Sequence, residues 1–167
     1  MKKAIYKGIA LVAAISFTGI VTVATSPASK VEASSSALSK TYKVGKTATY
    51  KGVSLKVNSV KYVEPGEYDS IDSGKHYIVA NVTITNKSRK SYDYNPFDFK
   101  LNVNGNNTDF DASPDDVEDL LDSGTLDKGS SVTGNLAGEI KQGAKNPKLK
   151  MQVNVLDDSK NLTFSLK

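Results

Sequence analysis

The chain has 167 residues, with 22 Lys and Arg against 18 Asp and Glu, a single His and no Cys. The missing thiols exclude disulfides, a thiolate metal site, a cysteine nucleophile and the acceptor for a lipoprotein anchor. The formal charge of +4 overstates the basicity. Residues 1–33 hold four of the bases and one of the acids, leaving 18 against 17 in the remaining 134 residues, and the one basic run left, Lys87-Ser88-Arg89-Lys90, is too small for a nucleic-acid surface.

Lys2, Lys3 and Lys7 precede an uncharged apolar run from Ile9 to Ala24, followed by small and polar residues. This is the layout of a secretory signal peptide, with cleavage expected after Ala33 and Ala28 as the alternative. The apolar run is shorter than a bilayer span, and no stop-transfer charge cluster follows it. Residues 34–41, "SSSALSKT", read as a flexible leader, since so few apolar groups do not offset the entropy of ordering. The C-terminal "NLTFSLK" lacks the hydrophobic tail of a covalent surface anchor, so the expected product is secreted, released or held non-covalently at the envelope.

One domain is expected over residues 42–167, and its signals are those of strands. "TATY" ends at Lys51-Gly52. "VSLKVNSVKYV" places Val53, Leu55 and Val57 on one face, then shifts phase at Asn58-Ser59, the mark of a β-bulge. "HYIVANVTITN" puts Ile78, Ala80, Val82 and Ile84 on the core side, with Asn81, Thr83 and Thr85 outward. "FDFKLNV" repeats the alternation with Phe97, Phe99, Leu101 and Val103, then meets Asn104-Gly105, the dipeptide suited to a two-residue hairpin, with the return strand ending at Phe110. "SVTGNLAGEI" carries Gly134 and Gly138 on the parity of Val132, Leu136 and Ile140, which marks a weak or closely approached strand. "KLKMQVNV" offers Leu149, Met151, Val153 and Val155, and "NLTFSLK" offers Leu162, Phe164 and Leu166 after a turn at 157–160. Seven to eight strands at this spacing predict an all-β antiparallel β-sandwich. One short helix is expected near 114–121, because Ser113 can cap, Pro114 suits the first helical position, and Val117, Leu120 and Leu121 share a face.

Candidate chemistry is sparse. Eight carboxylates lie between Asp109 and Asp127 with no base among them. A calcium site is one reading, although the spacing is not that of an EF-hand, and negative charge at a helix start is the other. His76 is the only base available to a Ser-His-Asp hydrolase, and no Gly-x-Ser-x-Gly accompanies it. Asp69 and Asp72 could be offered as paired glycosidase carboxylates, as could many other pairs. Tyr68, Tyr92 and Tyr94 stand near turns, either as contacts for protein or sugar or as cover for a strand edge. The sequon at Asn81-Val82-Thr83 falls inside a strand.

Three stretches, "VGKTATYKGVSLKVNSVKY", "YIVANVTITNKSRKSYDYNPFDFKLNVNGNNTDF" and "LLDSGTLDKGSSVTG", resemble the bacterial extracellular immunoglobulin-like domain family of unknown function. Its fold is similar to that of the mycobacterial secreted immunoprotective antigen. The resemblance spans nearly all of residues 42–164 and implies an immunoglobulin-like sandwich exported to the envelope or medium, with no catalytic residues to transfer. Many relatives are lipoproteins, which a chain without cysteine does not match. The expected function is a secreted, non-catalytic binding module with no cofactor, metal or nucleic acid, taking a protein or a cell-wall carbohydrate as partner. A secreted hydrolase or its accessory subunit, and a calcium-dependent ligand binder, stay open as alternatives.

Overall fold

Strand β4 (Lys75–Asn86) organises the structure, because its even-numbered apolar residues demand a core on one side. Ile78, Ala80, Val82 and Ile84 are all fully buried. The computed structural model describes residues 35–153 and 160–167, so the signal peptide, the inward placement of Val155 and the turn at 157–159 lie outside the described residues. On one side β4 pairs antiparallel with β3 (Val53–Val63), and the register slips between Val57 and Ser59, where the phase shift places a bulge. On the other side it pairs antiparallel with β9 (Ser131–Lys141), and β2 (Thr47–Tyr50) completes this sheet in the order β2-β3-β4-β9.

The second sheet runs β1-β11-β10-β6-β7, from β1 (Thr41–Lys43), β11 (Asn161–Ser165), β10 (Lys148–Gln152), β6 (Phe99–Val103) and β7 (Asn106–Asp109). Only β1 against β11 is parallel. Phe99, Leu101, Leu149, Met151, Leu162 and Phe164 face Leu55, Val57, the buried side of β4 and Leu136 across the core. The two sheets form an immunoglobulin-like β-sandwich, as the apolar alternation requires. The β6–β7 hairpin turns at Asn104 (φ 52°) and Gly105 (φ 91°), the paired left-handed conformations this dipeptide favours.

Among the described residues there are eleven strands rather than seven or eight. The additional ones are β1 and the ribbon of β5 (Tyr92–Tyr94) with β8 (Gly124–Leu126), each three residues long and too short to show a period. Residues 35–37 of the expected leader form a 3-10 turn, and Ala37 with Leu38, the apolar pair of that stretch, packs on the core.

The helix expected near 114–121 is absent. A single turn closes from Val117 N–H to Pro114 C=O (3.1 Å), and Asp119 then takes φ 51°, which a helix does not accommodate. The segment spends its backbone groups on the free edge of β9 instead. Leu121 N–H donates to Asn135 C=O (2.8 Å), Asn135 N–H to Asp119 C=O (2.8 Å) and Ala112 N–H to Ala137 C=O (3.1 Å). Covering an exposed sheet edge satisfies donors and acceptors that a two-turn helix would leave open at both ends. The same path buries Val117 against Tyr77, Val79 and Ala137, so the outer face of β4 is covered at its N-terminal half and polar at its C-terminal half. The close approach explains both glycines: a Cβ at Gly134 would lie 2.9 Å from Leu121 Cα, and one at Gly138 would lie 3.2 Å from the Asp109 carbonyl oxygen.

Candidate functional site

Strands β7 and β9 are the facing edges of the two sheets. The 110–121 segment closes one part of the seam between them, and at its uncovered end lies a groove of about 930 Å3. Val103, Asn106, Thr108 and Asp109 line one wall, Glu139, Ile140, Lys141 and Gln142 the other, and Lys75 joins them from β4. Amides, hydroxyls and charges alternate there with a little aliphatic surface, a lining suited to a polar ligand.

The charges in the groove are largely paired. Lys75 Nζ lies 2.7 Å from both Asp72 Oδ2 and Glu139 Oε2, which offsets the repulsion from Lys141 directly across the ladder. Its ammonium is held above its usual range, first by the bond to Asp72 and then by that to Glu139, and Asp72 is held below the usual carboxylate range by Lys75. Both groups are in contact with solvent, so the pairs orient side chains more than they stabilise the fold. Lys100 pairs with Asp109. The Asn102 amide donates to Asn107 Oδ1 (2.6 Å), fixing the wall from behind.

The structure distributes the sequence candidates differently from their spacing. Asp69 meets Asp115 rather than Asp72. Its carboxylate accepts from Gly66 N–H (2.7 Å) and Asp115 N–H (3.2 Å), while Asp115 Oδ2 accepts from Tyr68 N–H (3.3 Å), a reciprocal clamp between two loops. His76 stacks edge-on against Tyr62, with ring centroids 5.0 Å apart at 76°, and among the described residues no Ser or Asp is hydrogen-bonded to it. Among the described residues no three His, Asp or Glu side chains gather into a metal-binding group, the 109–127 carboxylates included. No described helix is long and apolar enough to cross a membrane.

Tyr92 and Tyr94 lie in β5 and are partly buried. Both pack on the core, and the Tyr94 hydroxyl would lie 2.7 Å from a Cβ at Gly124. Burial, helped by Asp98, pushes the Tyr92 phenol up from 10.0 to about 12. The folded state therefore holds the phenol neutral where the unfolded chain ionises, so stability present below pH 10 is lost between pH 10 and about 12. The melting temperature of Tyr92→Phe is expected to fall less than that of the wild type across this interval. Parallel curves in a thermal-melt pH series would show that Tyr92 does not carry the alkaline loss.

The outward face of β4 is a hydrogen-bonded lattice. Thr83 bonds Thr133, Thr85 bonds Ser131 and Thr49 bonds Ser54, each at 2.8 Å. Asn58 donates to Asn81 and Thr83, and Asn81 donates to Asn135. Asn81 of the sequon is thus engaged inside the sheet. Sequence reasoning did not single out Lys75, Glu139, Lys141 or residues 106–108, and it named Asp109 only within the acidic run. Each is unremarkable locally, and the groove exists only where the two edges meet.

Residues 42–161 match the model described as a domain of unknown function, DUF4352. Comparison with curated proteins returns no match. Among solved structures the chain is similar to a putative lipoprotein, YcdA, from Bacillus subtilis, with 24% identity and a TM-score of 0.62 over 71% of this chain and 37% of that one. It thus spans little more than a third of that lipoprotein's length. It is also similar to the YjhA protein from Bacillus subtilis (22% identity, TM-score 0.54, 75% of this chain and 99% of that one). A third likeness is to MPT63, a secreted protein from Mycobacterium tuberculosis (18% identity, TM-score 0.55, 75% and 96%). At these identities the likenesses establish the fold, and the family match covers most of the chain: the protein belongs to the DUF4352 domain family.

Proposed function

We propose that this protein is an exported, non-catalytic binding module that holds a polar cell-wall ligand in the groove between β7 and β9. The groove carries the reading. It presents amides, hydroxyls and largely paired charges, a lining that grips through hydrogen bonds. The charged N-terminus, apolar core and small-residue exit of residues 1–33 support export. The secreted mycobacterial protein and the putative lipoprotein among the structural neighbours agree with an envelope or extracellular setting.

Protein purified from the culture medium is expected to co-sediment with purified cell-wall material. Thr108→Trp, which fills the groove from an exposed position, and Lys141→Glu, which leaves Lys75 with an excess of acids, should each reduce the bound fraction about tenfold without lowering the melting temperature. Wild-type binding with both variants unaffected would move the site elsewhere, and no binding to the wall would remove this ligand class.

A further inference from the structure

The alternation of residues 97, 99, 101 and 103 would send Phe97 into the core, yet the residue is 65% exposed. It sits on a 3-10 turn, Pro96–Asp98, that is locked from both ends. Asn95 Oδ1 accepts from Phe97 N–H (2.9 Å), and Asp98 Oδ2 accepts from Asn95 N–H (3.2 Å). Pro96 fixes its own φ at the first position. A single exposed aromatic is ordinary, but one on a locked turn loses little conformational entropy when it docks. Beside it opens a crevice of about 230 Å3 lined by Phe97, Phe110, Leu120, Leu121, Leu136 and Ala137, with Asp111 and Asp122 also on its lining.

Charge decides what this crevice fits. Asp111 and Asp122 line it, Asp115, Asp116, Glu118 and Asp119 lie on the segment between them, and Asp127 follows β8. Among the described residues none of the seven forms an ion pair. No Lys or Arg lies between Asp109 and Asp127 in the sequence, and although Lys61 of β3 shares a hollow with Asp115, Asp116, Glu118 and Asp119, acids remain in excess. Such a field attracts cations and repels anionic lipid and anionic wall polymer.

We propose that this crevice docks a cationic segment of a partner protein, which inserts one apolar side chain beside Phe97 while its Lys or Arg residues meet the acidic segment. The crevice shares Asp111 with the lining of the β7–β9 groove and is otherwise lined by different residues, so the proposal stands whether or not the groove binds wall material.

The test is fluorescence anisotropy of the full exported chain with a labelled lysine–serine peptide carrying one central leucine. Binding should weaken with added salt, and should fall about tenfold for Phe97→Ala, for the peptide with serine in place of leucine, and for the Asp111→Asn, Asp122→Asn double variant. Phe97→Ala alters an exposed side chain, so an unchanged melting curve separates lost binding from lost folding. Wild type that does not bind the peptide, equal affinity for Phe97→Ala, or equal affinity for the leucine-free peptide would each overturn the proposal. So would binding to anionic phosphatidylglycerol vesicles that depends on Phe97.

Discussion

Ile84→Asp is expected to leave the domain unfolded at room temperature, while its neighbour Thr83→Asp folds. Ile84 is fully buried between the sheets, in register with Leu55 and Val132, so a carboxylate there has neither water nor a partner. Burying an unpaired charge and losing the apolar contacts together cost more than about 4 kcal/mol, a large part of the 5–15 kcal/mol that holds a domain. Val82→Asp should behave like Ile84→Asp for the same reason. Thr83 points the other way. An Asp there loses the bond to Thr133 but lies opposite Lys56 in the ladder, so a loss of about 1 kcal/mol or less is expected. Circular dichroism with urea titration separates the outcomes, and equal losses at 83 and 84 would refute the register of β4.

Asn86→Ala should be the most damaging polar substitution. Asn86 is fully buried at the end of β4, where its amide donates to Lys90 C=O (2.7 Å) and Leu126 C=O (2.9 Å) and its carbonyl accepts from Ser88 N–H (2.9 Å). Its backbone also ties the 127–131 turn through Ser130 C=O and Gly129 N–H. One side chain thus joins β4, the 86–90 turn and β8. Truncation leaves buried groups without partners, for a loss of about 3 kcal/mol in urea unfolding. Asn86→Asp should be no milder at neutral pH, since a carboxylate would face two carbonyl oxygens. The folded state would raise the pKa of that new carboxyl, so this variant should recover part of its stability as pH falls toward the unfolded carboxyl value of about 3.9. A loss under about 1 kcal/mol for Asn86→Ala would show that the hub is dispensable.

These contrasts show what the sequence exposes and what it conceals. Strands β3, β4 and β6, the bulge after Val57, the Asn104-Gly105 turn and the tight glycines of β9 were legible, because each is encoded by a local alternation or by a residue the backbone conformation requires. Strands β1, β5 and β8 were not. Three residues cannot display a period, and their pairing partners lie far away in the chain. Around residues 114–121 the local signals for a helix were present, but the open edge of β9 outcompeted them by taking the backbone hydrogen bonds of Asp119 and Leu121. Phe97 escaped the alternation because Asn95, Pro96 and Asp98 close a turn where the strand would have continued. The groove was hidden for a different reason. Residues near 106 and 140 become neighbours only when two sheet edges meet, and no motif announces that.

The placement of the binding surface is tested most directly by nitrogen-15 chemical-shift mapping of the exported protein titrated with solubilised cell-wall fragments. Shifts are expected to concentrate at residues 103–109 and 139–144, with Lys75 included, and to be small on the Thr83 and Thr85 face. Shifts concentrated on that threonine face, or none at saturating ligand, would contradict this placement.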